Sequence, residues 1–262
     1  MDDDKGGVAW FDRANGKIEL IAVSIVSHGH GVMVVRLIES LLMCGDVAQI
    51  IVTRNIPEVI QMPESDRIVV LDNPQSKGFG ENHNAAFEHC TQPFFCPLNP
   101  DISLQGNPFG TLLNELDKSG AAIAAPLVLA PGGAVEDSVR RFPTLLSLLR
   151  KACWGQDGRY KLKLNDPVFH PDWVAGMFML FRSADYARLG GFDPKFFLYY
   201  EDVDICVRAR KVGLGLIVCP SVAVIHDARR DSHRSLRHLR WHLASMGRYF
   251  LKHWGRLPRG KN

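Results

Sequence analysis

The chain has 262 residues, 46% of them hydrophobic and 23% charged, with a formal net charge of +3. That is enough for one large α/β domain, and the charge is too small to point to a nucleic acid partner. No apolar run approaches the ~20 residues that span a bilayer. The six cysteines (Cys44, Cys90, Cys96, Cys153, Cys206 and Cys219) form no Cys-x-x-Cys pair, which argues against zinc or a disulfide framework and for reduced thiols.

In chain order, residues 1–17 are polar and read as a disordered leader without a signal-peptide pattern. Residues 18–27 read as a buried strand. Val32 to Met43 has helical spacing, with Val35, Ile38, Leu41 and Leu42 as its apolar face. Val47 to Thr53, Arg67 to Leu71 and Pro93 to Leu98 read as strands, and Gly78 opens a helix running to His89. Residues 106–119 read as a helix with Phe109, Leu112, Leu113 and Leu116 inward, and Ala121 to Leu129 as a strand. A helix at about 144–152 and a mobile loop over 153–172 follow. Then come a strand over Trp173 to Arg182, a helix over Ser183 to Leu189, and two short strands, Leu214 to Cys219 and Val222 to Ile225, ending at His226. Strands alternating with helices predict βαβ units and a mostly parallel sheet flanked by helices. Ligands of such sheets bind beyond the carboxyl ends of the strands, and Ser27-His28, Asn55, Gly78 to Asn84 and Asn99-Pro100-Asp101 all fall there.

The densest chemistry lies in residues 190–213. Glu201, Asp202 and Asp204 follow the aromatics Phe196, Phe197, Tyr199 and Tyr200. Glu201-Asp202 is expected in the first turn of a helix, where negative charge suits the dipole and apolar rings can raise a carboxylate's proton affinity. Asp202, Ile205 and Ala209 share one helical stripe, while Asp204, Arg208 and Lys211 point elsewhere. A structural reading makes these acids helix caps paired with Arg208 and Arg210; a catalytic reading makes one of them a general base. Asp101 can hold a hard divalent cation, or close an Asx turn. His226 can be a borderline metal ligand, or a structural histidine. Gly78-x-Gly80 lacks the third glycine of a dinucleotide fingerprint, since His83 stands there, which disfavours a nicotinamide oxidoreductase.

Together these residues resemble the inverting glycosyltransferases of family 2, which have the GT-A fold. The resemblance covers about residues 20–228. Residues 173–182 carry it, with Gly190 to Asp193, Phe196-Phe197, Glu201 to Asp204 and Pro220 to His226. Within the family the chain looks most like bacterial rhamnosyltransferases of O-antigen and cell-wall assembly, through Ile25 to His30, Phe79 to Asn84, Asn99 to Ile102, Val139 to Pro143 and Arg240 to Leu243. The resemblance implies Asp202 as catalytic base, and Asp101 and His226 as ligands of Mg²⁺ or Mn²⁺ beside Asn99. It implies a nucleotide pocket at Ser27, His28, Asn55, Gly78 and Asn82, with Trp173, Ala175, Gly176 and Glu201 facing donor sugar and acceptor. Arg54 stands where the family commonly has an Asp that accepts a bond from the pyrimidine, and arginine cannot accept one.

The expected architecture is a GT-A domain over 18–228, with a nucleotide-binding half (18–105) and an acceptor half (106–228), then a basic amphipathic helical tail over 229–262. The tail carries ten Lys and Arg against Asp231. Its basic and aromatic residues, Trp241, Tyr249 and Trp254 among them, suit the headgroups of an anionic membrane, whereas Leu236, Leu239 and Leu243 form a stripe that suits packing on the domain. The expected partners are a nucleotide-sugar donor, dTDP-rhamnose before a UDP-linked sugar, and a polyprenyl-diphosphate-linked saccharide. The expected location is cytoplasmic, on the inner face of the membrane, with a homodimer left open. A non-catalytic nucleotide-sugar-binding subunit is the competing class, and intact Asp101, Asp202 and His226 argue against it.

Overall fold

A computed structural model describes residues 20–155, 158–227 and 236–258. The expected leader and the residues joining the domain to its tail lie outside the described residues.

The first half is a run of βαβ units. Strand β1 (Ile21–Ser27) is mostly apolar and buried at all but Val26, as suits a central parallel strand. Helix α1 (Val32–Leu42) buries Val34, Leu37, Ile38 and Leu41. This face is rotated from the expected one: Val35 and Leu42 sit half-buried at its margins, packed against the core. Strand β2 (Val47–Arg54), β3 (Ile68–Asp72), α2 (Phe79–Phe87) and β4 (Phe94–Leu98) follow within two residues of expectation.

The second half holds the differences. A short strand β5 (Ile102–Leu104) follows β4 directly, then α3 (Phe109–Ser119) and β6 (Ile123–Leu129). Strand β7 (Val139–Arg140) and helix α4 (Leu145–Trp154) come next; Thr144 and Ser147 cap α4 reciprocally. The strand expected over 173–182 is two, β8 (Trp173–Val174) and β9 (Leu180–Arg182). Between them the backbone bonds elsewhere: Ala175 N–H donates to Ser138 C=O, and Gly176 N–H to a carboxylate of Asp202. Helices α5 (Ser183–Arg188) and α6 (Glu201–Lys211) precede β10 (Leu216–His226), one bulged strand where two were expected. Helix α7 (Leu236–His253) closes the described chain.

Among the described residues the main sheet has eight strands, ordered β3-β2-β1-β4-β9-β6-β10-β5. Strands β3, β2, β1 and β4 are parallel, while β9 runs antiparallel between β4 and β6. The chain leaves β1 towards β2 and returns to β4 on its other flank. That reversal opens a crevice beyond the carboxyl ends of β1 and β4, the usual ligand site of such sheets. The second sheet pairs β7 with β8.

Candidate active site

Two cavities lie at this end of the molecule. The first, about 800 Å³, includes His28, Asn55, Asn82, Asn99 and Asp101 in its lining, as expected of a donor pocket. The second, about 730 Å³, is lined by Trp173, Glu201 and Asp202, with Arg140, Arg141, Arg150 and Lys151. Tyr199 lines both.

Several expected pocket residues are tied up in the wall itself or behind it. Ser27 is fully buried, and its hydroxyl accepts the His30 N–H at 3.4 Å. Asn55 has its amide engaged: Oδ1 accepts from Lys77 N–H (2.8 Å) and Asn73 (2.9 Å), and Nδ2 donates to Lys77 C=O (3.0 Å). Asn82 joins this network through Asn73 and Gly78. These asparagines therefore shape the loop over 73–78. Arg54 makes two 2.6 Å hydrogen bonds to Asp72, which also sits at a strand end.

Gly78 and Gly80 serve close approach. A Cβ on Gly78 would lie 2.6 Å from the Phe197 carbonyl oxygen, and one on Gly80 2.6 Å from Phe192 Cβ. Gly191, at φ +65°, would meet Asn84 Oδ1 at 2.3 Å, and that oxygen accepts the Phe192 N–H at 2.9 Å. Helix α2 is thus pressed onto the segment that leads to α6. His83, on α2, is buried; its Nδ1 meets Ser24 Oγ at 2.8 Å, its Nε2 has no partner, and burial pushes its pKa down to about 3.

Tyr199 and Tyr200 both adopt left-handed backbone (φ 69° and 68°), a costly conformation for consecutive non-glycine residues. The double turn starts α6 abruptly and brings Asp202 to the cavity. Asp202 Oδ2 accepts the Gly176 N–H (3.0 Å) and Oδ1 the Val203 N–H (2.8 Å). A Cβ on Gly176 would touch Asp202 Cβ at an ordinary 3.5 Å and press on the Phe79 ring at 3.3 Å. Burial raises the Asp202 pKa against these two hydrogen bonds and Arg140. Glu201 is raised further, by burial and the Asp202 charge, and its Oε2 has no partner. Of these two adjacent acids, Glu201, with fewer compensating donors, is the harder to ionise.

Asp204, off the Asp202 stripe as expected, turns to the C-terminal helix. It is fully buried and bonded to Arg208 (2.7 Å), His253 (2.8 Å) and Lys252 (2.7 Å). These partners hold its carboxyl down at about pKa 2 despite burial.

Asp101 and His226, far apart in sequence, come together because β5 pairs with the end of β10, setting Ile102 beside His226. His226 Nε2 lies 3.3 Å from Asp101 Oδ2, and its Nδ1 lies 2.7 Å from Glu136. Burial disfavours the charged imidazole, but hydrogen bonds and charge from Asp101 and Glu136 outweigh it, lifting the pKa to about 9. Asp101 Oδ1 is buried without a partner. An orphaned carboxylate oxygen beside an imidazole suits a divalent cation, and a carboxylate on the far nitrogen is a common support for such a ligand. Among the described residues no group of three or more His, Cys, Asp or Glu is arranged as a complete metal cage. Two protein ligands would leave most of the coordination to a bound anion. Glu136 has no local sequence signal; only the pairing of β10 brings it here.

Helix α7 reverses the expected faces of the tail: Trp241 and Tyr249 turn to the protein and the leucine stripe turns out. Trp241 packs on Phe197 at 4.7 Å, Tyr200 on Tyr249 at 5.3 Å, and the Tyr199 hydroxyl is 3.0 Å from His238 Nδ1. The Leu236, Leu239 and Leu243 stripe faces out, while Tyr249 is fully buried. The aromatic run over 196–200 offers α7 a matching wall, and Asp204 offers its cations a buried partner. Arg237, His238 and Trp241 line the first cavity, and His242 and Met246 the second.

A family model described as "Glycosyltransferase like family 2" matches residues 41–244. Rhamnosyltransferase WbbL of Escherichia coli K12 is 29% identical over 249 residues, 89% of this chain and 93% of that protein. An N-acetylglucosaminyl-diphospho-decaprenol L-rhamnosyltransferase of Mycobacterium tuberculosis is 29% identical over 164 residues, 59% of this chain and 53% of that protein. Among solved structures, GalNAc-T7 with UDP, GalNAc and Mn²⁺ superposes with a TM-score of 0.65 at 15% identity, over 81% of this chain and 44% of that one. The mannosyltransferase PcManGT of Pyrobaculum calidifontis, with GDP-Man and Mn²⁺, does so at 0.56 and 14% identity, over 87% and 64%. The shared architecture is the GT-A fold.

Proposed function

The chain belongs to glycosyltransferase family 2 and is a glycosyltransferase; from that premise we propose that it transfers L-rhamnose, with inversion, from dTDP-rhamnose to a polyprenyl-diphosphate-linked saccharide. The observation that carries the reading is the division of labour around Tyr199. Asp101 lines one of the two cavities Tyr199 bounds, and Asp202 the other. The names of the E. coli and M. tuberculosis relatives support rhamnose, and the latter's name supports a lipid-diphosphate acceptor.

In this reading the donor lies in the first cavity and the acceptor hydroxyl reaches Asp202 from the second. Asp202 takes the hydroxyl proton as the oxygen attacks the anomeric carbon, and the nucleoside diphosphate leaves from the opposite face; one displacement inverts the centre. The N–H groups of Gly176 and Val203 fix both carboxylate oxygens, so the base is oriented before the acceptor arrives. Glu201, the harder of the two to ionise, limits the negative charge beside Asp202. Asp101 and His226 would hold Mg²⁺ or Mn²⁺, with Glu136 orienting His226. Such an ion neutralises charge on a departing diphosphate.

No helix among the described residues is long and apolar enough to cross a membrane. The basic C-terminal residues would hold the enzyme against an anionic membrane surface. The test is a panel of dTDP-, UDP- and GDP-sugars with Mg²⁺ or Mn²⁺ and a polyprenyl-diphosphate saccharide, following nucleoside diphosphate release and the anomeric configuration of the product. Release with dTDP-rhamnose and an inverted linkage supports the reading. No turnover, or a retained configuration, refutes it.

A further inference from the structure

Helix α4 is built the wrong way round for a helix packed on its own domain. Leu145, Leu146 and Leu149 fall on one face and are 46%, 55% and 60% exposed. Trp154, at the last residue of the helix, is 72% exposed. The face turned towards the protein carries Ser147 and the half-buried Leu148, which line the Asp202 cavity with Thr144, Arg150 and Lys151. An amphipathic surface helix normally shows the reverse, apolar in and polar out. Water gains nothing from three leucines and a tryptophan presented by one short helix, and such patches mark interaction sites.

We propose that α4 is the acceptor-side membrane contact: its leucine face enters the interface of an anionic bilayer, and its opposite face forms the wall of the cavity that receives the acceptor's head. Three observations select this occupant. Arg150 and Lys151 are exposed at the cavity rim, with Arg141 near them, so the apolar face is bordered by positive charge. The same lining holds four cations, Arg140, Arg141, Arg150 and Lys151, against three acids, Asp172, Glu201 and Asp202, so an anionic headgroup or diphosphate at the rim meets attraction from Arg150 and Lys151 before it nears the acids. A second copy of this chain is the poorer fit. A twofold contact through α4 would bring Arg150 and Lys151 towards their own equivalents. The arrangement gives a lipid-linked acceptor a short route: its chain stays in the bilayer beside Leu146 and Leu149, its charge stops at the basic rim, and its sugar continues to Asp202. The proposal rests on the lipid-linked acceptor described above, and it adds α4 to the basic C-terminal residues as a contact with the membrane.

The test uses the full chain and the double variant Leu146→Glu/Leu149→Glu. Neither residue lines a cavity, and both are exposed enough for the fold to survive, which the melting temperature and elution volume verify. Co-sedimentation is measured with vesicles of phosphatidylglycerol mixed with phosphatidylcholine, and with phosphatidylcholine alone. Turnover is measured on a long-chain polyprenyl-diphosphate sugar in those vesicles and on a water-soluble short-chain analogue. The variant should lose roughly tenfold or more in vesicle binding and in long-chain turnover, and keep short-chain turnover within about twofold. Sedimentation unchanged from wild type overturns the proposal. So does a wild-type protein that stays in the supernatant at low salt, or a dimer that the substitutions convert to monomer without altering vesicle binding. Loss of vesicle binding in a protein that glycosylates neither acceptor upholds the membrane contact and refutes the acceptor reading instead.

Discussion

Replacing Asp204 by alanine should loosen the C-terminal helix from the catalytic one. The carboxylate is fully buried on α6 and joins Arg208 of the same helix to Lys252 and His253 of α7. Its pKa sits at about 2 in the folded protein against an ordinary 3.8. A carboxylate so depressed contributes roughly 2–3 kcal/mol at neutral pH. The sign follows from the depression: the contribution is complete above the unfolded value and fades as pH falls through about 2. Breaking a buried pair typically costs ~3–5 kcal/mol, because the surviving charges lose their partner. Lys252 and Arg208 keep some solvent contact and can rehydrate, so the lower end, about 3 kcal/mol, is expected. At about 2 °C per kcal/mol for a chain of this size, the melting temperature should drop by about 6 °C. Arg237, His238 and Trp241 of α7 line one cavity and His242 and Met246 the other. Donor KM should therefore rise several-fold too. Calorimetry and initial-rate kinetics read the two effects. A melting temperature within 1 °C of wild type would refute the clamp.

Asp202→Asn should lower turnover by ~10²–10⁴-fold with donor affinity nearly unchanged, because the amide cannot take a proton; turnover within twofold of wild type would move the base elsewhere. In the intact enzyme, kcat/KM should fall on the acid side along a limb centred above the ordinary Asp value, since burial raises the Asp202 pKa; a limb at or below 3.8 counts against this carboxylate. EDTA should abolish turnover, and Asp101→Ala, His226→Ala and, more mildly, Glu136→Gln should weaken Mn²⁺-dependent binding of dTDP in calorimetry; dTDP affinity equal with and without Mn²⁺ refutes the metal site. Trp241→Ala should raise donor KM more than it lowers kcat, since it removes a wall of the donor cavity and its packing on Phe197; an unchanged KM places that wall away from the nucleotide.

Legibility in the sequence followed the range of the interaction. Strands β1, β2 and β4 were readable because a strand buried on both faces is a continuous apolar run. Asp202 and the start of α6 were readable because acids, aromatics and helical spacing lie within one stretch. Residues 173–182 look like one strand in composition, yet the donors of Ala175 and Gly176 bond to Ser138 and Asp202, partners 37 and 26 residues away along the chain. Glu136 was silent for the same reason: its link to His226 spans ninety residues. The tail misled because an amphipathic helix does not say which side meets protein. Trp241 and Tyr249 have the chemistry of headgroup anchors, but Phe197 and Tyr200 offer them drier partners.

The seam between α2 and residues 191–197 constrains how such an enzyme can be altered. Gly78, Gly80 and Gly191 leave no room for a methyl group, because the two segments touch backbone to backbone or backbone to side chain. Asn84 stitches them further, donating to the Phe192 carbonyl and accepting from its N–H and from the Tyr186 hydroxyl. Helix α2, with the loop before it, and the segment carrying Asp202 are therefore one casting, not two modules. A chimera that takes the nucleotide half from one relative and the acceptor half from another inherits two surfaces that never matured against each other. A mismatch of a few tenths of an ångström at Gly78 would move the base relative to the donor sugar. Donor preference in this chain is better retuned by substitutions inside the cavity, which leave the seam intact, than by exchange of halves.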